Sequence, residues 1–408
     1  MTCTRMILTL LVVVVTAATV GAAPLMDGPL TLDRALELAA QARPELAAAA
    51  AKAGAAAQRA RQQGAWPNPT AFFVIEGAPV DGDAWQDGAR VLGLEQTLPL
   101  GGRIGAGRDA GRHLASSAEA ERELTSREVE ASVRTAFAAA LRARGAASLR
   151  DDVVAGSRRM VDVVELLRDT GGAADDEVAH ARFELGMAEL DAARAAADLD
   201  AALADLAAAV GAEGVAPFDV EGVLGAPGDV PDLDVLTGRL EASPALRAAL
   251  ARAAAGDAAA KAASRSRLPD LGVRLGMRRF GGGGDAFDAG VSLDVPLFDR
   301  GGARTAAARA DAVADAARVR GVRLDLERRL RGLHARLAAA DRAAQALSAD
   351  LLPAADAVLA AAERRHEVGD ADLVDLLQVR ASWLERRLIA LDVRFELDAA
   401  RAELNALF

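Results

Sequence analysis

Residues 92–104 read LGLEQTLPLGGRI, and residues 291–304 read VSLDVPLFDRGGAR. Each stretch is a short alternating run, then Pro-Leu, then a Gly-Gly pair that opens onto a long tract of Ala, Arg and Leu. Period-two alternation is the mark of a strand. Proline ends it by removing a ladder donor, and glycine lets the backbone swivel into a helix. The stretches therefore predict two strand-to-helix junctions, at Pro99, Gly101 and Gly102 and at Pro296, Gly301 and Gly302, about 200 residues apart.

Upstream of the first junction, the pattern from Thr31 is helical with one break at Pro44, and Trp66-Pro67-Asn68-Pro69 stops it. Strands are predicted over Thr70 to Gly77 and Ala89 to Leu98, around a loop from Ala78 to Gly88. Downstream, no proline occurs between Gly102 and Pro217. A helix over Arg103 to Arg168 would be about 100 Å long at 1.5 Å per residue, a length that belongs to coiled coils and repeats. A break at Asp169 to Gly172 precedes a second helix, Asp175 to Val210.

Residues 211–232 are rich in Gly and Pro and read as a connector, after which the plan restarts. Pro244 answers Pro44, RLPDLG (Arg267 to Gly272) answers AWPNPT, and a helix runs from the second junction to about Glu367. A break at Gly369 leads into a last helix, Asp372 to Leu407. The landmarks match at offsets of about 197–202, which predicts a tandem duplication. The expected units are a leader over 1–23, a first repeat over 24–210, the connector over 211–232 and a second repeat over 233–408. The fold class is mainly α with a small β part, built of coiled-coil helices and four strands.

In the second strand pair, Leu271, Val273, Leu275 and Met277 alternate with Gly272, Arg274, Gly276 and Arg278. Phe287, Ala289, Val291, Leu293 and Val295 alternate with Asp288, Gly290, Ser292 and Asp294. Such a sheet suits either a soluble core or a membrane barrel that is apolar outside and wet inside. In the barrel, Arg274, Arg278, Asp288, Ser292 and Asp294 face the lumen. Four strands cannot close a barrel, so several copies would have to share one. The helices carry leucine seams, Leu326, Leu330, Leu333 and Leu337 in one, and Leu373, Leu377, Leu384, Leu388, Leu391 and Phe395 in the last.

Arg5, the uncharged run Met6 to Val20 and Gly21-Ala22-Ala23 have the layout of a secretory signal peptide. That run, about 15 residues, falls short of the roughly 20 that a membrane helix needs. The one cysteine, Cys3, lies in this leader, so the mature chain has no disulfide. A net charge of −11 argues against nucleic acid as a general partner. His113, His180, His334 and His366 sit on separate helical stretches without metal-ligand spacing. The glycine clusters lack a phosphate-binding context. Neither an enzyme nor a cofactor is indicated.

The duplicated plan, Asn68-Pro69, LPLGGR (Leu98 to Arg103), VPLFDRGG (Val295 to Gly302) and VGDADLVDLLQVRASWLE (Val368 to Glu385) resemble the TolC-like outer-membrane efflux family over Thr31 to Phe408. LPLGGR and VRASWLE are most similar to its heavy-metal cation branch. The resemblance implies a homotrimer in the outer membrane of a Gram-negative cell. Each chain would give four strands to a shared twelve-stranded barrel and its long helices to a periplasmic tunnel. The tunnel tip, at the Asp169–Gly172 and Gly369 turns, would meet a periplasmic adaptor and an inner-membrane pump. Members of the family carry two acids three residues apart at this tip. The first matches Asp375, but the second falls on Gln378, and the first-repeat counterparts are Glu177 and His180. Acids in a first helical turn also stabilise the helix dipole, which gives Asp375 and Glu177 a second reading. The functional expectation is a passive exit duct for metal cations. Its alternatives are a duct for drugs or secreted proteins, and a soluble periplasmic coiled-coil scaffold.

Overall fold

A computed structural model describes residues 28–78, 80–212, 218–225 and 228–408. The leader and part of the connector lie outside the described residues. Two short helices, α1 (Leu32–Ala42) and α2 (Pro44–Gln63), open the chain. Pro44 starts α2 because its missing N–H is one that a first turn leaves unbonded anyway. Strand β1 (Thr70–Glu76), one helical turn α3 (Ala84–Asp87) within the expected loop, and β2 (Ala89–Leu98) come next. The chain then enters α4 (Arg103–Asp169) and returns in α5 (Asp175–Val210).

The second half repeats this order. After α6 (Leu233–Arg239) come α7 (Pro244–Arg265), β3 (Leu271–Arg279) and β4 (Asp285–Leu293). Helix α8 (Gly302–Ala346) continues through a π-helical turn, Leu347–Leu351, into α9 (Leu352–Glu367), and α10 (Leu373–Ala406) ends the chain. The helix expected to run unbroken to Glu367 is therefore interrupted. Pro353 lies inside it, and a proline ring clashes with the carbonyl four residues back. The wider π turn, in which the Leu352 N–H donates to the Leu347 carbonyl, relieves that clash.

At the first junction both Gly101 (φ 74°) and Gly102 (φ 71°) are left-handed, whereas at the second only Gly301 (φ 67°) is. Gly102 is the N-cap of α4, while Gly302 is already the first residue of α8. The first junction is tied to the turn between α7 and β3. Arg103 pairs with Asp270 at 2.6 Å, and Arg265 donates to the Gly102 carbonyl at 3.1 Å.

The four strands form one antiparallel meander in the order β1-β2-β3-β4, so its central pair joins strands from the two halves of the chain. Helix α4 is the spine. Near its start it meets α2, where Gly111 leaves room for Ala60, and α7, where Ser117 donates to the Ala248 carbonyl at 3.1 Å. Farther along it meets α5, through Arg150 and Asp191 at 2.7 Å, and α10, where Gly145 accommodates Leu391. Small residues on α4 thus let neighbouring helices approach closely.

Two apolar clusters hold the middle of the molecule. One joins Leu30, Leu38, Val133, Phe137, Leu206 and Val220, with Leu30 and Val220 also in a parallel bridge. The other buries the predicted Leu326, Leu330, Leu333 and Leu337 against Leu246 and Leu397. The seam of α10 differs from expectation. Its deeply buried leucines include Leu376, Leu384, Leu397 and Leu404, while Leu377, Leu388, Leu391 and Phe395 are only half-buried. α10 packs on α4 and α9 below and α8 above, so no single stripe serves all three. Two carboxylates, one half-buried and one buried, pin the connector to this cluster: Asp398 accepts from the Gly225 N–H at 2.7 Å and Asp341 from the Gly228 N–H at 3.0 Å. Burial pushes the Asp398 carboxyl above its usual range.

The two helical hairpins share a ladder. Glu165 of α4 pairs with Arg182 of α5 at 2.6 Å, and Glu363 of α9 with Arg380 of α10 at 2.9 Å. Both members are displaced by 198 residues (363 − 165 and 380 − 182). The next rung, Arg158 with Glu189 at 2.7 Å, recurs at the same displacement as Asp356 with Arg387 at 2.6 Å, with the charges exchanged. The Arg387 guanidinium and the Trp383 indole N–H hold the Asp356 carboxyl below its usual range. Among the described residues, no helix is long and apolar enough to cross a membrane.

Candidate functional site

Two regions collect the residues singled out by sequence, the sheet at one end and the hairpin turns at the other. Pairing register decides which sheet residues share a face. Opposite Arg274 stand Glu95 and Gly290, opposite Gly276 stand Gly93 and Asp288, and opposite Gly272 stand Thr97 and Ser292. Arg274, Arg278, Asp288 and Ser292 therefore lie together on one face, as their alternation predicts.

That face is a network of charge pairs. Arg274 donates to Glu95 at 2.8 Å, and Arg278 pairs with both Glu76 at 2.8 Å and Asp288 at 2.9 Å. Arg278 thereby links β1, β3 and β4. Glu76 and Glu95 were not among the lumen candidates, although Glu95 alternates with Leu92 and Leu94 in β2. Asp294 corrects the expectation: β4 ends at Leu293, and Asp294 is held beyond the strand by its N–H donating to the Asp270 carbonyl at 3.3 Å. Pro296 ends the ladder there, since it lacks a donor and restricts the residue before it.

Phe72 also belongs to the charged face. Its ring lies under the Arg274 guanidinium at 4.8 Å and across Gly93, where a Cβ would come within 2.6 Å of the Phe72 Cζ. The opposite face is apolar and open, with Leu92 63%, Met277 67%, Phe287 71% and Val291 74% exposed. Both edge strands, β1 and β4, have one unpaired side.

At the other end, Glu177 and Asp375 hold equivalent places, each the third residue of its helix. Their side chains differ in use. The Glu177 carboxylate reaches back to accept from the Ala174 N–H at 3.0 Å, the return half of a capping box. In α10 the N-cap is Asp372, whose carboxylate accepts from the Asp375 N–H at 2.7 Å. The Asp375 carboxylate makes no hydrogen bond or ion pair among the described residues and is exposed. Val178 and Leu376, the residues after these two acids, pack in one cluster with Met160, Val161 and Val164.

Gln378 and Asp375 line a 680 Å³ groove between α9 and α10, and His180 is exposed on α5. The second turn is braced by Arg365, which donates to the Asp370 carbonyl at 3.1 Å, and by His366 with the Ala371 carbonyl at 3.1 Å. His334 lies far off against the Pro231 carbonyl, and His113 is exposed. Among the described residues, no group of three His, Cys, Asp or Glu side chains could hold a metal ion.

Known proteins share both sequence and shape with this chain. The nickel and cobalt resistance protein CnrC of Cupriavidus metallidurans is 30% identical over 317 residues, covering 77% of this chain and 74% of that one. The cobalt-zinc-cadmium resistance protein CzcC of the same organism is 27% identical over 371 residues, covering 90% and 87%. The solved outer-membrane channel OprN superposes with a TM-score of 0.73 at 21% identity, covering 92% of this chain and 89% of that one. The profile of one family, outer membrane efflux protein, matches twice, over residues 35–212 and 236–408. This chain is a member of the outer membrane efflux protein family.

Proposed function

We propose that three copies of this chain form the outer-membrane exit duct of a tripartite efflux system whose cargo is divalent heavy-metal cations. The observation that carries the assembly is the sheet. It has an open apolar face, a charged face whose arginines are all paired with acids, and two unpaired edges. A single copy leaves those edges and that face in water, at a cost that natural proteins avoid. Three copies, β4 of one beside β1 of the next, close a twelve-stranded barrel with no edge, lipid outside and Arg274, Arg278, Asp288 and Ser292 within.

The helices extend this barrel as a periplasmic tunnel, with the turns at Asp169–Gly172 and Gly369 as its tip. There the chain meets a periplasmic adaptor and an inner-membrane pump, which supplies the energy this chain lacks. The cargo rests on the metal-resistance relatives CnrC and CzcC and on Asp375, whose unpaired carboxylate suits a cation-attracting ring. Residues 1–23 act as a cleaved leader. The repeats over 24–210 and 233–408 descend from one duplicated unit, a reading favoured by ion-pair rungs recurring at a single displacement.

The test is Val291→Arg. On the lipid face near the midplane this costs about 2–4 kcal/mol, so membrane-inserted trimers drop sharply while the protein is still exported. Trimers in normal yield, read from the mass of the detergent-solubilised complex, would place Val291 outside lipid and remove the barrel.

A further inference from the structure

The α9–α10 groove carries more than the acid at its lower end. Asp375, Ser382 and Arg386 all line it. At 100° per residue, Ser382 lies 20° to one side of Asp375 and Arg386 20° to the other, so the three form one stripe along α10. The neighbouring arginines are neutralised across the hairpin, Arg380 by Glu363 at 2.9 Å and Arg387 by Asp356 at 2.6 Å. Arg386 is not. It donates to the Ser382 carbonyl at 2.6 Å and to the Ser382 hydroxyl, and it forms no ion pair among the described residues. One unpaired anion and one unpaired cation therefore share a helix face.

We propose that Arg386 is a charge-selectivity determinant of the duct, a cationic ring above the acidic tip that draws small inorganic anions into the tunnel and restrains free cations. This rests on the reading that Asp375 faces the pore, since the same stripe then carries Arg386 inward. Eleven residues of helix separate the two, about 16 Å along the axis. That is roughly twice the Debye length of about 8 Å at physiological salt, so the rings act as two fields and do not cancel. A guanidinium stays charged at every working pH, and a contact with Ser382 orients it without neutralising it. A cation that passes Asp375 then meets a barrier that an accompanying anion lowers. The duct therefore favours metal that moves with its counter-ions over bare metal.

The experiment measures reversal potentials of wild-type, Arg386→Gln, Arg386→Lys and Asp375→Asn channels across a potassium chloride gradient in planar bilayers. Arg386→Gln is expected to raise the potassium-to-chloride permeability ratio about sevenfold, since a surface potential of order kT depletes the cation and enriches the anion by about 2.7-fold each. Arg386→Lys is expected to match the wild type, and Asp375→Asn to lower the ratio. A shift with Asp375→Asn but none with Arg386→Gln overturns the inference and keeps Asp375 in the pore. No shift with either takes the whole stripe out of the pore. Equal shifts with Gln and Lys would make the effect one of shape, which also overturns it. If the Gln variant does not assemble, wild-type channels still decide the matter. Sulfate in place of chloride should lower conductance more than its mobility does, and conductance that simply tracks mobility contradicts the ring.

Discussion

Gly93 has no room for a side chain. An added Cβ would collide with the Leu275 carbonyl oxygen and lie 2.6 Å from the Phe72 ring. Phe72 fills the place that Gly93 leaves, and Arg274 stacks on Phe72 while bonding Glu95. An aromatic ring covering a cross-strand glycine is a known way to pin register. Gly93→Val should therefore lower the thermal stability of the assembled protein, by about 1–3 kcal/mol as overpacking does. An unchanged melting temperature would show that the register tolerates a side chain there. Arg274 and Asp288 were legible from alternation alone, because charged and small residues take turns with apolar ones in β3 and β4. Phe72 and Phe73 were not. Adjacent aromatics must point to opposite faces, and only pairing with Gly93 says which is which. The distinction between Glu177 and Asp375 was also hidden, since only the folded turn shows whether a first-turn acid bonds back to the N-cap N–H.

Among the elements, the helical hairpins show how one design tolerates exchange. Glu165 with Arg182 and Glu363 with Arg380 keep their sense, whereas Arg158 with Glu189 and Asp356 with Arg387 are opposite. A pair on a helical surface depends on opposite charge and reach, not on which helix holds the acid. Arg158→Asp should therefore lower stability by setting like charges against each other, and adding Glu189→Arg should recover it. A double-mutant cycle in urea is expected to give a coupling of about 0.5–1 kcal/mol, the scale of exposed pairs. Strict additivity would mean that the rung contributes nothing. The helices themselves were readable from proline and glycine placement, with α5 found at its expected bounds. The π turn was not readable. Pro353 announces a perturbation, but a kink, a break and a widened turn are all open to it until the packing of Leu347 and Leu352 is known.

At the scale of the molecule, sequence order and spatial order diverge. β2 pairs with β3 although the strands belong to different halves, and α4 meets α10 through Gly145 and Gly156, glycines unremarkable in an alanine-rich tract. The duplicated plan was visible because its breakers recur at nearly constant offsets. The way the halves interlock was not, because it depends on small residues whose partners lie far away in sequence. The result is a chain with a packed helical middle, an open sheet and exposed acids, Asp375 among them, at the opposite end, and these three features suit a shared channel. The most direct test is single-channel recording from the purified, detergent-solubilised protein, with Asp375→Ala beside the wild type. A shared channel gives discrete conductance steps in both and a lower cation preference in the variant. A monomer that is soluble in buffer and never inserts would contradict it.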